Sequence, residues 1–258
     1  MKAYERFLEY VAVWTTSDEN SDTVPSAARE LDLAKKLVEE MKGLGIEDAR
    51  VDDKGYVYGS VPATSGCEDK AALGLIAHMD TAMDASGKDI KPQLIKNYDG
   101  GDVVLGTSGN VLSVAEFPHL AGLKGRTLIT TDGTTLLGAD DKAGIAEILT
   151  AVDEIVKEGL PHGKICIGFT PDEEIGRGSD YFDVEGFGAD YAYTLDGDAE
   201  GEIQYENFNA STGFVTCHGV SVHTGSAKDI MVNSQTIATE FHQMLPADER
   251  PETTEGYE

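Results

Sequence analysis

Lys164-Ile165-Cys166-Ile167-Gly168-Phe169-Thr170-Pro171-Asp172-Glu173-Glu174 runs from an unbroken apolar stretch of strand length into three consecutive acidic residues. A strand with one wet face alternates polar and apolar side chains, so a continuous run predicts a strand covered on both faces, the habit of α/β sheets. Three further runs read the same way, Ala72 to Ala77, Arg126 to Thr131 and Tyr191 to Leu195, with a strong helix pattern over about 142–158 between two of them. The expected fold class is α/β, a mixed and mostly parallel sheet flanked by helices.

Upstream, Phe7, Leu8 and Val11 recur at helical spacing before a polar loop at 15–22. Pro25-Ser26 with Glu30 opens a second helix pattern, whose stripe of Leu31, Ala34, Leu37, Val38 and Met41 stops at Gly43 and Gly45. A hairpin is expected from Ala49 to Gly59 around Asp53-Lys54-Gly55. Residues 81–125, rich in Gly, Asp and Ser, are too long for a bare loop and predict small strands of their own. Beyond residue 210 the pattern predicts one strand within 211–222 and a helix over about 229–244, the start of a smaller α+β lid domain. The expected domains are therefore 1–209, carrying the site, and 210–258.

The chain has 258 residues, with 47 acidic against 20 basic and a formal charge of −27. So negative a surface repels phosphate backbones and anionic lipid, which argues against nucleic-acid or membrane partners. Cys67, Cys166 and Cys217 are an odd number without Cys-x-x-Cys spacing, fitting reduced thiols. No stretch reaches about 18 apolar residues and no apolar signal segment opens the chain, so the expected location is the cytoplasm.

Chemistry gathers where apolar runs end: His78-Met79-Asp80, Asp172-Glu173-Glu174 and Leu195-Asp196, with Asp140-Asp141 just before the strong helix. In an open α/β sheet, residues that follow separate strands converge in the crevice outside the strands' carboxyl ends. An Asp-Asp or Glu-Glu pair alone is an ordinary surface feature, and a lone His-x-Asp an ordinary hydrogen-bonded pair. Convergence changes their meaning, because so many carboxylates repel one another unless protons or cations compensate them. An imidazole-and-carboxylate set without cysteine suits zinc, manganese or cobalt.

His78-Met79-Asp80-Thr81, Gly138-Ala139-Asp140-Asp141-Lys142-Ala143-Gly144, Thr170-Pro171-Asp172-Glu173-Glu174-Ile175-Gly176 and Asp196-Gly197 together resemble the M20 family of dinuclear metallopeptidases, most closely its tripeptide aminopeptidases. The likeness covers essentially the whole chain, including Glu206-Asn207-Phe208-Asn209-Ala210. It implies two divalent metal ions, zinc foremost with cobalt or manganese as alternatives, and a short peptide substrate. Asp140 would bridge the ions, with His78 and Asp196 on one and Glu174 on the other. Asp80 would orient His78, and Glu173 would be the general base acting on the attacking water. The family joins its two aspartates by a cis peptide. His223, in Val222-His223-Thr224-Gly225, matches a lid histidine that holds the substrate, often across a homodimer, although the usual pattern is His-Pro-Gly and Thr224 departs from it. Trp14 departs from the small or acidic residue usual there and reads as packing variation. His119, His162, His218 and His242 match no ligand.

Peptidases of this type continue well past Glu258, and the resemblance breaks off inside the lid. The second metal's histidine comes from the later segment, so the expectation is a second site lacking that ligand in a weakly stable, aggregation-prone chain. Two alternatives stand beside the aminopeptidase: a non-catalytic fragment of such an enzyme, and a carboxypeptidase or amidohydrolase using the same metals.

Overall fold

The computed structural model describes residues 1–197, 200–205, 211, 213–250 and 252–253, and the chain divides into two compact units, Met1–Glu202 and Ile203–Glu258. Both the expected boundary between 209 and 210 and the Glu206-to-Ala210 motif lie outside the described residues. The first unit carries α1 (Ala3–Val11), α2 (Glu30–Gly43), β1 (Arg50–Val51), β2 (Val57–Val61), β3 (Leu73–His78), β4 (Gln93–Ile95), β5 (Val103–Val104), β6 (Val111–Leu112), β7 (Leu128–Thr130), α3 (Ala139–Glu158), β8 (Ile165–Thr170), α4 (Val184–Phe187) and β9 (Tyr191–Thr194).

Five strands form the main sheet in the order β1-β2-β8-β3-β9. The hairpin β1–β2 and the β2–β8 pair are antiparallel, whereas β8–β3 and β3–β9 are parallel, giving a mixed sheet. All of β8 is buried, as its continuous apolar run requires. Its Ile165, Ile167 and Phe169 join one large core with Leu33, Leu37 and Met41 of α2 and Ile145, Ile148 and Leu149 of α3. Cys166 belongs to a separate cluster with Tyr56, Tyr58 and Phe187 of α4, against which Phe182 packs. Arg6, 2 % exposed, ties three helices together: Nε meets Glu40 at 2.7 Å, Nη2 meets Asp153 at 3.1 Å and Nη1 donates to Thr150 Oγ1.

Three local expectations change. The 126–131 run supplies β7, which pairs with β4 in a separate ribbon and packs Leu128 on the small Tyr98, Val103 and Leu120 cluster; an apolar run reports burial without saying against which layer. Tyr191–Thr194 is a strand, but as the last in the sheet order all four of its residues are exposed. On α2 the buried stripe runs through Leu33, Ala34, Leu37 and Met41, while Leu31 is only half-buried.

The second unit holds α5 (Ser234–Met244). It begins later than the periodicity predicts, because Asp229 sits at φ +62° and the Asn233 side chain accepts from Gln235 N at 3.0 Å, capping the helix there. In place of the strand expected within 211–222, the described residues make one bridge, Val220 to Val232.

Candidate metal centre

Because β3, β8 and β9 run parallel, their carboxyl ends emerge on one side of the sheet. The register pairs His78 with Thr170 and Ile76 with Thr194, so the segments that follow begin nearly level. From β3 come His78 and Asp80, from β8 the short 3-10 turn bearing Glu173 and Glu174, and from β9 Asp196. Asp140 enters from the start of α3, where Asp140 and Asp141 depart from helical geometry and share a cis peptide bond.

These side chains meet around the buried His78 imidazole. Its Nε2 lies 2.7 Å from Asp140 Oδ1 and 3.8 Å from both Glu173 Oε2 and Asp196 Oδ2. Its Nδ1 lies 3.1 Å from the Asp80 carbonyl and 3.3 Å from Asp80 Oδ1, so the ring is held from behind with Nε2 turned to the carboxylates. Two sets of donor atoms each lie within 4.8 Å of one another, His78 with Glu173 and Asp196, and His78 with Asp140 and Glu174. Glu173 thus stands as near to His78 as Asp196 does. One open cleft of about 660 Å³ borders Asp140, Gly144, Glu147 and Asp196. Another of about 390 Å³ runs from Glu173 and Asp196 to Ile76, Phe182 and Val184.

Asp80, wholly buried, also accepts from the backbone N–H of Glu173 at 3.0 Å and of Glu174 at 3.1 Å. One carboxylate therefore fixes both the histidine and the acidic turn. Asp141, which the sequence pattern left without a role, is a clip: its oxygens accept from His78 N at 3.2 Å and Gly144 N at 3.1 Å. Gly144 must be glycine, since a Cβ there would stand 2.2 Å from the Leu195 carbonyl and 2.4 Å from Asp141 Oδ1. Lys142, fully buried, donates to the Val13 carbonyl at 2.8 Å. His223 belongs to the second unit, where its Nδ1 accepts from Gly225 N at 3.1 Å.

Protons and charges are unusually placed. Burial opposes charging His78, but its hydrogen bond to Asp80 and the nearby carboxylates outweigh burial and raise it to about 10. Burial first, and neighbouring carboxylates second, push Asp141 to about 8, Glu174 to about 7 and Asp196 to about 6. Burial also lowers Lys142 to about 7. Groups raised on folding add stability below their unfolded values and lose it as pH rises through the folded ones. Burial likewise raises Glu30, to about 9; Lys142 has the opposite sign, its contribution fading as pH falls towards 7, but it is one group against five. The metal-free chain is therefore expected to melt at least about 5 °C lower at pH 8.5 than at pH 5.5, the shift of roughly 2 kcal/mol in a domain of this size. Divalent cations, which replace the protons, should recover most of that loss at pH 8.5. A metal-free melting temperature that is flat or rising across this range contradicts the assignment.

Residues 205–258 match the M20 peptidase dimerisation domain. Peptidase T of Clostridium acetobutylicum is 58% identical over 98% of this chain, and peptidase T of Aliivibrio fischeri 55% identical over 98%. The chain spans 62% of the length of these curated relatives. The crystal structure of aminopeptidase PepT from Bacillus cereus superposes with a TM-score of 0.58 at 26% identity, covering 95% of this chain and 56% of that one. A tripeptidase from Staphylococcus aureus superposes with a TM-score of 0.54 at 25% identity, covering 77% of this chain and 43% of that one.

Proposed function

We infer that the chain, which belongs with peptidase T among the M20 metallopeptidases, is the metal-holding part of an aminopeptidase that releases the N-terminal residue of short peptides, tripeptides foremost. The observation that carries this reading is the ring of carboxylates from three strand ends and one helix entry around a single imidazole whose far nitrogen is already held.

The donor set fits divalent cations. Among the described residues Nε2 of His78 has no backbone partner and faces carboxylate oxygens, and the raised carboxyl groups mark a site that binds protons for want of another positive charge. His78, Asp140, Asp196 and Glu174 would hold two ions, and the mixed nitrogen and oxygen set suits zinc, cobalt or manganese. Bound there, the ions supply Lewis acidity, acidifying water and polarising the scissile carbonyl. Glu173 takes the proton of the attacking water on its carboxylate and delivers it to the departing amine. Asp80 fixes the Glu173 backbone and the His78 ring while this happens. His223 is the candidate for holding the substrate carbonyl, and the dimerisation-domain match at 205–258 supports a homodimer. The free cysteines and the lack, among the described residues, of any helix long and apolar enough to cross a membrane support a cytoplasmic setting.

The test compares a free tripeptide with its N-acetylated form in the presence of zinc, cobalt or manganese. An aminopeptidase cleaves the free peptide and loses at least about tenfold when the amine is blocked, because recognition of the free ammonium is then lost. Equal or faster cleavage of the acetylated peptide would point instead to a carboxypeptidase or amidohydrolase.

A further inference from the structure

The acidic turn is gripped from a second side. Asp172, directly before Glu173, is wholly buried and sits at φ +58°, in the left-handed region that a non-glycine residue keeps only when its surroundings hold it there. Both of its carboxylate oxygens accept from one donor, the backbone N–H of Ser26, at 3.0 and 2.8 Å. Its own N–H donates to Glu30 Oε2 at 3.2 Å. Glu30 is 1 % exposed at the first turn of α2, and its other oxygen accepts from Ala27 N at 3.0 Å and Ser26 Oγ at 3.3 Å. Ser26 Oγ in turn accepts from Asp18 N at 2.8 Å. The same carboxyl group therefore closes the start of α2 and clasps the backbone of the Asp172 turn. Arg177 adds a further tie, donating from Nη1 to the Ser21 carbonyl and from its backbone N–H to the Asp172 carbonyl.

A buried carboxyl group is a poor choice for helix capping alone, since desolvation works against it and serine or aspartate in solvent serves a helix start as well. Each of the three donors to Glu30 named above is a backbone or hydroxyl group outside α2, two on the segment just before the helix and one on the acidic turn. We propose that Glu30 is a positioning residue that, opposite Asp80, locks the Asp172–Glu174 turn and so sets the placement of Glu173 and Glu174. This rests on the reading of that turn as carrying the general base and a metal ligand, but its structural part stands without it.

The deciding variant is Glu30→Gln, which keeps the shape and replaces one acceptor oxygen by a donor, setting N–H against N–H. Glu30→Asp, one methylene too short to reach both sides, retains a carboxyl group at the helix start and serves if the first variant folds poorly. Backbone hydrogen exchange of the full chain reads the turn directly. At the Asp172, Glu173 and Glu174 amides exchange should rise at least about tenfold, corresponding to about 1.4 kcal/mol of lost local protection, while amides of β3 keep their rates. Cobalt(II) titration of the same samples should show affinity falling about 10–100-fold. Turn exchange within twofold of the unaltered chain overturns the proposal, as does faster exchange with unchanged cobalt affinity. If the unaltered chain takes up no cobalt, the metal reading fails and exchange alone decides the role of Glu30.

Discussion

Replacing Glu173 by Gln lowers cleavage of a free tripeptide by about 10²–10⁴-fold, the usual worth of a positioned general base, while the variant still takes up divalent cations. The amide cannot accept a proton from water, but it fills the same volume and leaves the Glu173 backbone N–H on Asp80 undisturbed. The geometry makes this a sharp test, because Glu173 Oε2 is as near to His78 Nε2 as Asp196 Oδ2 is, each at 3.8 Å. Were Glu173 a ligand, the substitution would weaken cation uptake along with turnover. Parallel measurement of turnover and cobalt affinity separates the two roles: loss confined to turnover supports the base, and loss of both removes Glu173 from that role.

Asp80→Ala is expected to lower cation affinity about 10–100-fold without removing any atom proposed to touch the metal. The substitution releases the His78 ring from its Oδ1 contact and strips the acceptors from two part-buried N–H groups at once. Each hydrogen bond lost in this part-buried turn destabilises by about 0.5–1.5 kcal/mol, so the melting temperature should fall as well. Asp80→Asn, which keeps one acceptor, should lie between the variant and the unaltered chain in both measurements. Affinity within twofold of the unaltered chain would show that His78 is oriented by its contact with the Asp80 backbone carbonyl alone.

The parts of this arrangement legible in the sequence are those governed by local pattern. The run from Ile165 to Phe169 announces a strand covered on both faces, and it is the buried centre of the sheet. Strand ends followed by acidic residues foretell convergence, and His78, Asp140, Glu173 and Asp196 do meet. Long-range partnership leaves a fainter trace. Nothing in Arg126 to Thr131 says that its partner is β4 in a separate ribbon, because pairing is decided by distant residues. Glu30 reads as a helix-start residue, which it is, yet its second oxygen reaches a turn 142 positions away. Asp141 and Asp172 likewise look like surplus charges beside better-known neighbours, and only their backbone partners reveal them as clips. An aspartate held in left-handed geometry directly before Glu173-Glu174 leaves no composition signal.

Equilibrium dialysis of the 258-residue chain against zinc, cobalt and manganese at pH 7.5, with ions counted per chain, decides whether a metal centre forms around His78. Saturable uptake of at least one ion per chain is expected, abolished when Asp140 and Asp196 are both replaced by Ala. Absence of uptake by a cooperatively folded chain, or equal uptake by that double variant, would contradict a metal centre around His78.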